Sequence, residues 1–179
     1  IDWLFSLKPH LIRIMRLMLL PGTYLREHSE DFKIRYNHQP PYYSIWSNTF
    51  SAQDLKKTED LRTAMNIIYD NGLFRRLLYL LVKKLNISFS NILEEWNRWM
   101  QNRHHGLMSI IKDKFSENGK LRYVIYHTAL IKIANQSIDF VRFLCKRYHR
   151  PLDINLLRSV ERDKQAFLEK LKNRGIEES

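Results

Sequence analysis

The sequence predicts a mainly α-helical protein: a helical bundle of about seven helices preceded by a strand-turn-helix remnant of an α/β fold. Three observations carry that expectation. From Ser51 onward, apolar residues recur three and four positions apart, the spacing that puts them on one face of a helix. Between these stretches lie short turns holding residues that start or stop helices, such as Ser51, Asn71-Gly72, Asn86 and Asp153. Ahead of them, the apolar run at 17–20 halts at Pro21-Gly22-Thr23 and a short helical pattern opens, which is the building block of α/β folds.

In chain order, residues 1–7 read as the end of a helix, through Asp2, Trp3, Leu4 and Phe5, and Lys8-Pro9-His10 as a turn. Residues 11–20 read as a strand with partial alternation, Ile12, Ile14 and Leu17 on one side. Arg13 and Arg16 interrupt it. On a buried barrel strand they need anionic partners and are candidates for a ligand-facing surface; on an exposed face they need none. Proline has no N–H and glycine accepts positive φ, so Pro21-Gly22 ends the strand. Thr23 is then placed to cap a helix at 23–32, with Leu25 inward and Arg26, Glu27, Glu30 and Asp31 outward. Residues 34–49 look extended, with Tyr36, Tyr42, Tyr43, Trp46 and Phe50 gathered around Gln39-Pro40-Pro41. Such aromatic residues form a platform for a ligand or nucleobase, or more commonly glue a loop onto a domain. The prolines keep the segment extended without ladder hydrogen bonds, so it reads as a lid or inter-domain strap. No partner strand follows residues 11–20, so the neighbours are expected before Ile1 or in another chain, and the whole is expected to be the C-terminal piece of a larger protein. The expected organisation is a strand-turn-helix at 1–35, an aromatic and proline-rich strap at 36–50, and a helical domain at 51–179.

Ser51 opens the first long helix, its hydroxyl placed to accept the N–H of Asp54, whose charge suits the positive helix end. Leu55, Thr58, Leu61, Met65 and Ile68 form its stripe, and Asn71 or Gly72 supplies a left-handed stop. A second helix covers 73–85 and stops at Asn86; a third runs from Ser88 or Ser90 to Asn102, with Phe89, Ile92, Leu93, Trp96, Trp99 and Met100 apolar. His104-His105-Gly106 reads as a polar, solvated turn, since adjacent histidines diverge on a helix and make a poor metal pair. Met108, Ile111 and Phe115 mark a fourth helix closed by Asn118-Gly119, and Val124, Ile125, Leu130 and Ile133 a fifth at 121–134. The sixth, at 137–149, ends before Arg150-Pro151; the seventh starts at the cap Asp153 and runs to about Asn173. The charged stretch at its end is expected to fray.

Composition bounds the function. A chain of 179 residues with 44% hydrophobic content, five Gly and five Pro fits one folded unit with a sizeable core. No apolar run approaches the roughly 20 residues of a membrane span. Arg13 and Arg16 break the apolar stretch at 11–20, which lacks a cleavage site for secretion. The single cysteine, Cys145, rules out internal disulfides and any cysteine-held cluster within this chain, and reads as a small core residue in a reducing, cytoplasmic setting. A net charge of +11 suits nucleic acid or an anionic surface. The cations are spread as pairs, however (Arg75-Arg76, Lys83-Lys84, Lys146-Arg147), so solvated helix faces are the favoured reading. No P-loop, dinucleotide fingerprint, HExxH or Gly-x-Ser-x-Gly occurs. Glu94-Glu95 and Glu117 read as surface charges and His127 as a bundle residue, because carboxylates at adjacent helix positions do not converge.

Four segments in order resemble a family of bacterial proteins that join a cobalamin-binding domain, a radical S-adenosylmethionine barrel and a helical extension of unknown function. They are Trp3-Leu4 with Leu7-Lys8-Pro9-His10; Leu19-Leu20-Pro21-Gly22-Thr23 with Leu25-Arg26; Pro40-Pro41-Tyr42 with Trp46; and Tyr69, Asn71, Gly72 and Phe74, where Asp70 and Gly72 depart from the family pattern. The resemblance covers roughly the first half of the chain, and the second half only in being helical. It implies that residues 11–20 are one of the last strands of a TIM-like barrel and that the following turn lies at the barrel's C-terminal face, where barrel active sites sit. The parent would use a [4Fe-4S] cluster, S-adenosylmethionine and cobalamin, all held upstream; no catalytic or metal-binding residue carries over, and Cys145 cannot replace the cluster cysteines. Gly22, Thr23 and Arg26 would lie near the rim, and Tyr42, Tyr43 and Trp46 would shape the substrate side.

Two functions follow. In the first, the chain is an accessory domain of such an enzyme, a lid, substrate-binding or partner-binding surface, with the upstream barrel and cobalamin-binding domains as its partners. In the second, it is a basic helical adaptor for nucleic acid or a protein. An orphan strand also allows a homodimer through its edge.

Overall fold

A computed structural model describes residues 1–112 and 119–174. The chain is mainly helical, with one two-stranded antiparallel sheet among the described residues, and it divides into two compact units. The smaller is Arg13–Arg62; the larger joins Ile1–Ile12 to Thr63–Ser179.

In the larger unit the expected capping residues do their work. After helix α3 (Ala52–Met65) and one π-helical turn (Asn66–Asp70), Gly72 at φ +89° turns the chain. Helix α4 (Arg75–Leu85) stops at Asn86, which takes the left-handed conformation at φ 54°, ψ 48°. The Ser88 hydroxyl accepts the N–H of Asn91 at the start of α5 (Phe89–Arg103). After α6 (His105–Lys112), α7 (Gly119–Asn135) and α8 (Ser137–Arg147), Asp153 caps α9 (Ile154–Lys172) by accepting from the N–H of Leu156 at 2.9 Å. Phe115, Glu117, Asn118, the side chains of the apolar stripes at 108–125 and the tail from 175 lie outside the described residues.

The amphipathic faces meet in two aromatic clusters. Phe74, Trp96, Trp99 and Phe140 pack with Trp96 edge-on to Phe140 at 4.9 Å. Helix α1 (Asp2–Ser6) brings Phe5 onto Phe89 at 4.0 Å, Tyr79 at 4.4 Å and Tyr69 at 5.7 Å. The Tyr69 hydroxyl donates to the Pro9 carbonyl and the Ser90 N–H to the Asp2 carboxylate, fixing this segment to the unit. Glu95 is a correction to the sequence reading: it is buried rather than on the surface. Its Oε1 accepts from Arg98 at 2.5 Å, Arg147 at 3.0 Å and the Tyr148 hydroxyl at 3.3 Å. The other side of the same turn of α5 carries core residues, and partners from α8 compensate the charge.

The smaller unit departs from expectation more. Residues 11–20 lie in no sheet; a single antiparallel bridge joins Met18 to Tyr43, through Leu19 N–H to Tyr42 C=O and Ser44 N–H to Leu17 C=O, each 2.9 Å. Thr23 precedes the helix without capping it, its hydroxyl donating back to the Leu20 carbonyl at 2.7 Å. The helix α2 is one turn, Tyr24–Glu27, followed by a series of turns in which Lys33 takes φ +50°. The segment expected to be extended without a ladder forms one: β1 (Ile34–Tyr36) pairs antiparallel with β2 (Ser44–Ser47). Pro40-Pro41 sit in the connection, where they remove no ladder hydrogen bond. The unit closes with the start of α3, where Ser51 and Asp54 cap each other: Ser51 Oγ accepts from Asp54 N–H at 3.1 Å, and the Asp54 carboxylate accepts from Ser51 N–H at 2.9 Å.

Candidate functional site

Register decides what the small unit presents. In the β1–β2 hairpin Arg35 lies opposite Trp46 and Ile34 opposite Ser47, with an irregularity between Arg35 and Tyr36. The Arg35 guanidinium lies 5.3 Å from the Trp46 ring. Arg26, expected to point outward, is instead half-buried between Tyr42 at 4.8 Å and Tyr36 at 5.3 Å, with Nη1 donating to the Leu19 carbonyl at 3.3 Å. Arg16 stacks on Tyr43 at 5.1 Å and grips the Ser44 carbonyl through Nε at 3.0 Å and Nη2 at 2.8 Å. Planar guanidinium groups suit both contacts at once. Arg16 and Arg26 thus tie residues 13–27 to the hairpin, and Tyr36, Tyr42, Tyr43 and Trp46 each lie against a guanidinium.

Behind this arginine-aromatic layer lies a cleft of about 400 Å³, within the range of small-molecule sites. Ile14, Leu17, Ile34, Trp46, Phe50 and Leu55 line it with apolar surface, while Arg16, Glu59 and Arg62 bring charge. Glu59 and Arg62 pair at 2.7 Å, one turn apart on α3. Of the residues expected at a rim, Trp46 lines the cleft, and Tyr42, Tyr43 and Arg26 belong to the stacked layer. Gly22, at φ +75°, and Thr23 are exposed and line no part of the cleft. Arg13 is exposed too. Leu55 and Thr58 fit the stripe spacing of a core helix, yet these two line a cavity while Met65 and Ile68 of the same stripe are buried. Spacing reveals which residues share a face and not what the face meets.

The cleft's lining is mostly apolar and carries one carboxylate, Glu59, which pairs with Arg62. Elsewhere, His127 is buried in the larger unit and Cys145 is buried in α8, where burial pushes its thiol pKa up and away from reactivity. Among the described residues no group of three or more His, Cys, Asp or Glu side chains is placed to hold a metal. A [4Fe-4S] cluster does not fit this chain, since the one cysteine is a core side chain. No helix among the described residues is long and apolar enough to cross a membrane. No protein-family model, curated protein or solved structure matches the chain.

Proposed function

We propose that the chain is the non-catalytic C-terminal part of a cobalamin-dependent radical S-adenosylmethionine enzyme, in which Arg13–Arg62 docks beside the last strands of an upstream TIM-like barrel and lends its cleft to the substrate side. The half-used edge of residues 13–20 is the observation that carries this reading. Leu17 and Leu19 bond to the hairpin on one side, which turns the backbone groups of Met18 the other way, while the Leu20 carbonyl is taken by Thr23. Met15 and Leu20 stay 75% and 45% exposed beside that edge. An apolar stretch with an open edge is a surface for another strand. The resemblance of Leu19-Leu20-Pro21-Gly22-Thr23 to the family pattern supplies the candidate neighbour, a barrel strand of the same polypeptide. The cluster, S-adenosylmethionine and cobalamin belong to the upstream domains, and the residues of this chain bind and orient.

Amide hydrogen exchange tests the docking. Residues 13–20 are expected to exchange more slowly in the full-length polypeptide than in the 179-residue chain alone, and Met15→Asp with Leu20→Asp is expected to abolish that difference. Equal exchange in the two contexts contradicts the reading.

The second reading, a basic helical adaptor, is favoured by one observation: cations from two distant helices converge in the larger unit. The aromatic ring beside them, Phe167, is buried, so the spot offers no stacking surface for bases.

A further inference from the structure

Helices α4 and α9 pack against each other, and at the start of α4 they leave a groove of about 220 Å³ lined by Asn71, Arg75, Arg76, Arg162, Asp163 and Lys170 among others. Four of these are cations and one is an anion. The anion is already committed: the buried Asp163 carboxylate reaches across from α9 and accepts the N–H groups of Arg76 at 3.0 Å and Leu77 at 2.9 Å, capping α4 from outside its own segment. Its charge also acts on the Arg76 and Arg162 guanidinium groups, so one carboxylate stands among four cations. Arg75 lies over the Tyr69 ring at 5.4 Å, its Nη2 is 3.4 Å from the Asp70 carbonyl, and its buried Nε has no partner. Lys170 donates to the Asn71 carbonyl at 3.2 Å. Burial lowers the pKa of this ammonium, and the charges of Arg174 and Arg75 lower it further. Glu161, one turn before Lys164 and Gln165 on α9, is occupied by both of them. Four cations against one carboxylate leave the groove with surplus positive charge, which a bound anion would offset.

We propose that this groove binds a small molecule through a phosphate or diphosphate group. Arginine forks match phosphate oxygens with paired hydrogen bonds, and Lys170 adds a point charge at the far side. A groove of this volume takes one or two phosphates, whereas a nucleic-acid backbone needs a track of cations along a surface. The site lies wholly in the larger unit and is independent of the enzyme reading above.

Calorimetric titration of the 179-residue chain with inorganic pyrophosphate, in low-salt buffer free of phosphate, tests it. One saturable site is expected. Arg76→Gln with Arg162→Gln, both at exposed positions, is expected to weaken binding roughly tenfold or more. Lys146→Gln with Arg150→Gln, which removes the same charge from another exposed patch, is expected to leave it unchanged. Helical circular dichroism checks folding, and Arg162→Gln alone repeats the test if the double variant unfolds. Absence of saturable binding, or equal weakening by both double variants, overturns the proposal. So does a short single-stranded oligonucleotide that binds roughly tenfold more tightly than pyrophosphate, which would mark a nucleic-acid surface.

Discussion

His104 rests edge-on against Trp99 at 4.7 Å, half-buried at the end of α5. Burial, and then the Arg103 charge, lower its pKa from the ordinary 6.5. The folded state thus prefers the neutral ring, and the unfolded state binds more protons below that value. The associated stability is present above pH 6.5 and is lost as pH falls through 6.5 toward the lowered folded value. His104→Gln is expected to flatten that part of the profile of thermal midpoint against pH; profiles that stay parallel to the wild type contradict it. From sequence, His104-His105-Gly106 reads as a polar turn, and nothing in the spacing brings Trp99 back onto it. Glu95 is the same lesson at greater depth. Its neighbour on the sequence, Glu94, looks identical, and only the approach of Arg147 and Tyr148 from α8 makes the difference.

Several helix ends depend on chemistry within four residues and are legible in the sequence; Thr23, which caps nothing, and the start of α4, capped by Asp163 from α9, are not. Ser51, Gly72, Asn86, Ser88 and Asp153 all stand at helix ends in the roles their side chains or backbones predict. Breaking these caps has calculable consequences. Ser51→Ala is expected to cost about 1 kcal/mol in chemical denaturation. Asn86→Ala is expected to cost about 1 kcal/mol while Asn86→Gly costs none, because only the left-handed backbone is at issue; equal effects of the two changes would sink that account. The hairpin is where local reasoning failed. Pro40-Pro41 argue against a ladder only if they lie within it, and the turn positions at Lys33 (φ +50°) and Tyr42 (φ +58°) carry neither glycine nor asparagine to announce them. The strand expected at 11–20 has the right pattern but, among the described residues, one bridge for a partner.

At the scale of the molecule, mainly helical architecture follows from periodicity, but the cleft and the cationic groove do not. The cleft of the small unit is assembled from residues 14–17, the hairpin and the first turns of α3, and the cationic groove from Arg75-Arg76 and an α9 segment more than eighty positions away. Cations that look evenly scattered along the chain converge only after α4 meets α9. The proposal that the cleft of the small unit serves a cobalamin-dependent radical enzyme is put to the test on the full-length protein purified without oxygen. Its iron, sulfide and corrinoid are assayed, and cleavage of S-adenosylmethionine is followed after reduction. The account predicts a cluster, bound corrinoid and release of 5′-deoxyadenosine; a colourless protein that leaves S-adenosylmethionine intact would contradict it.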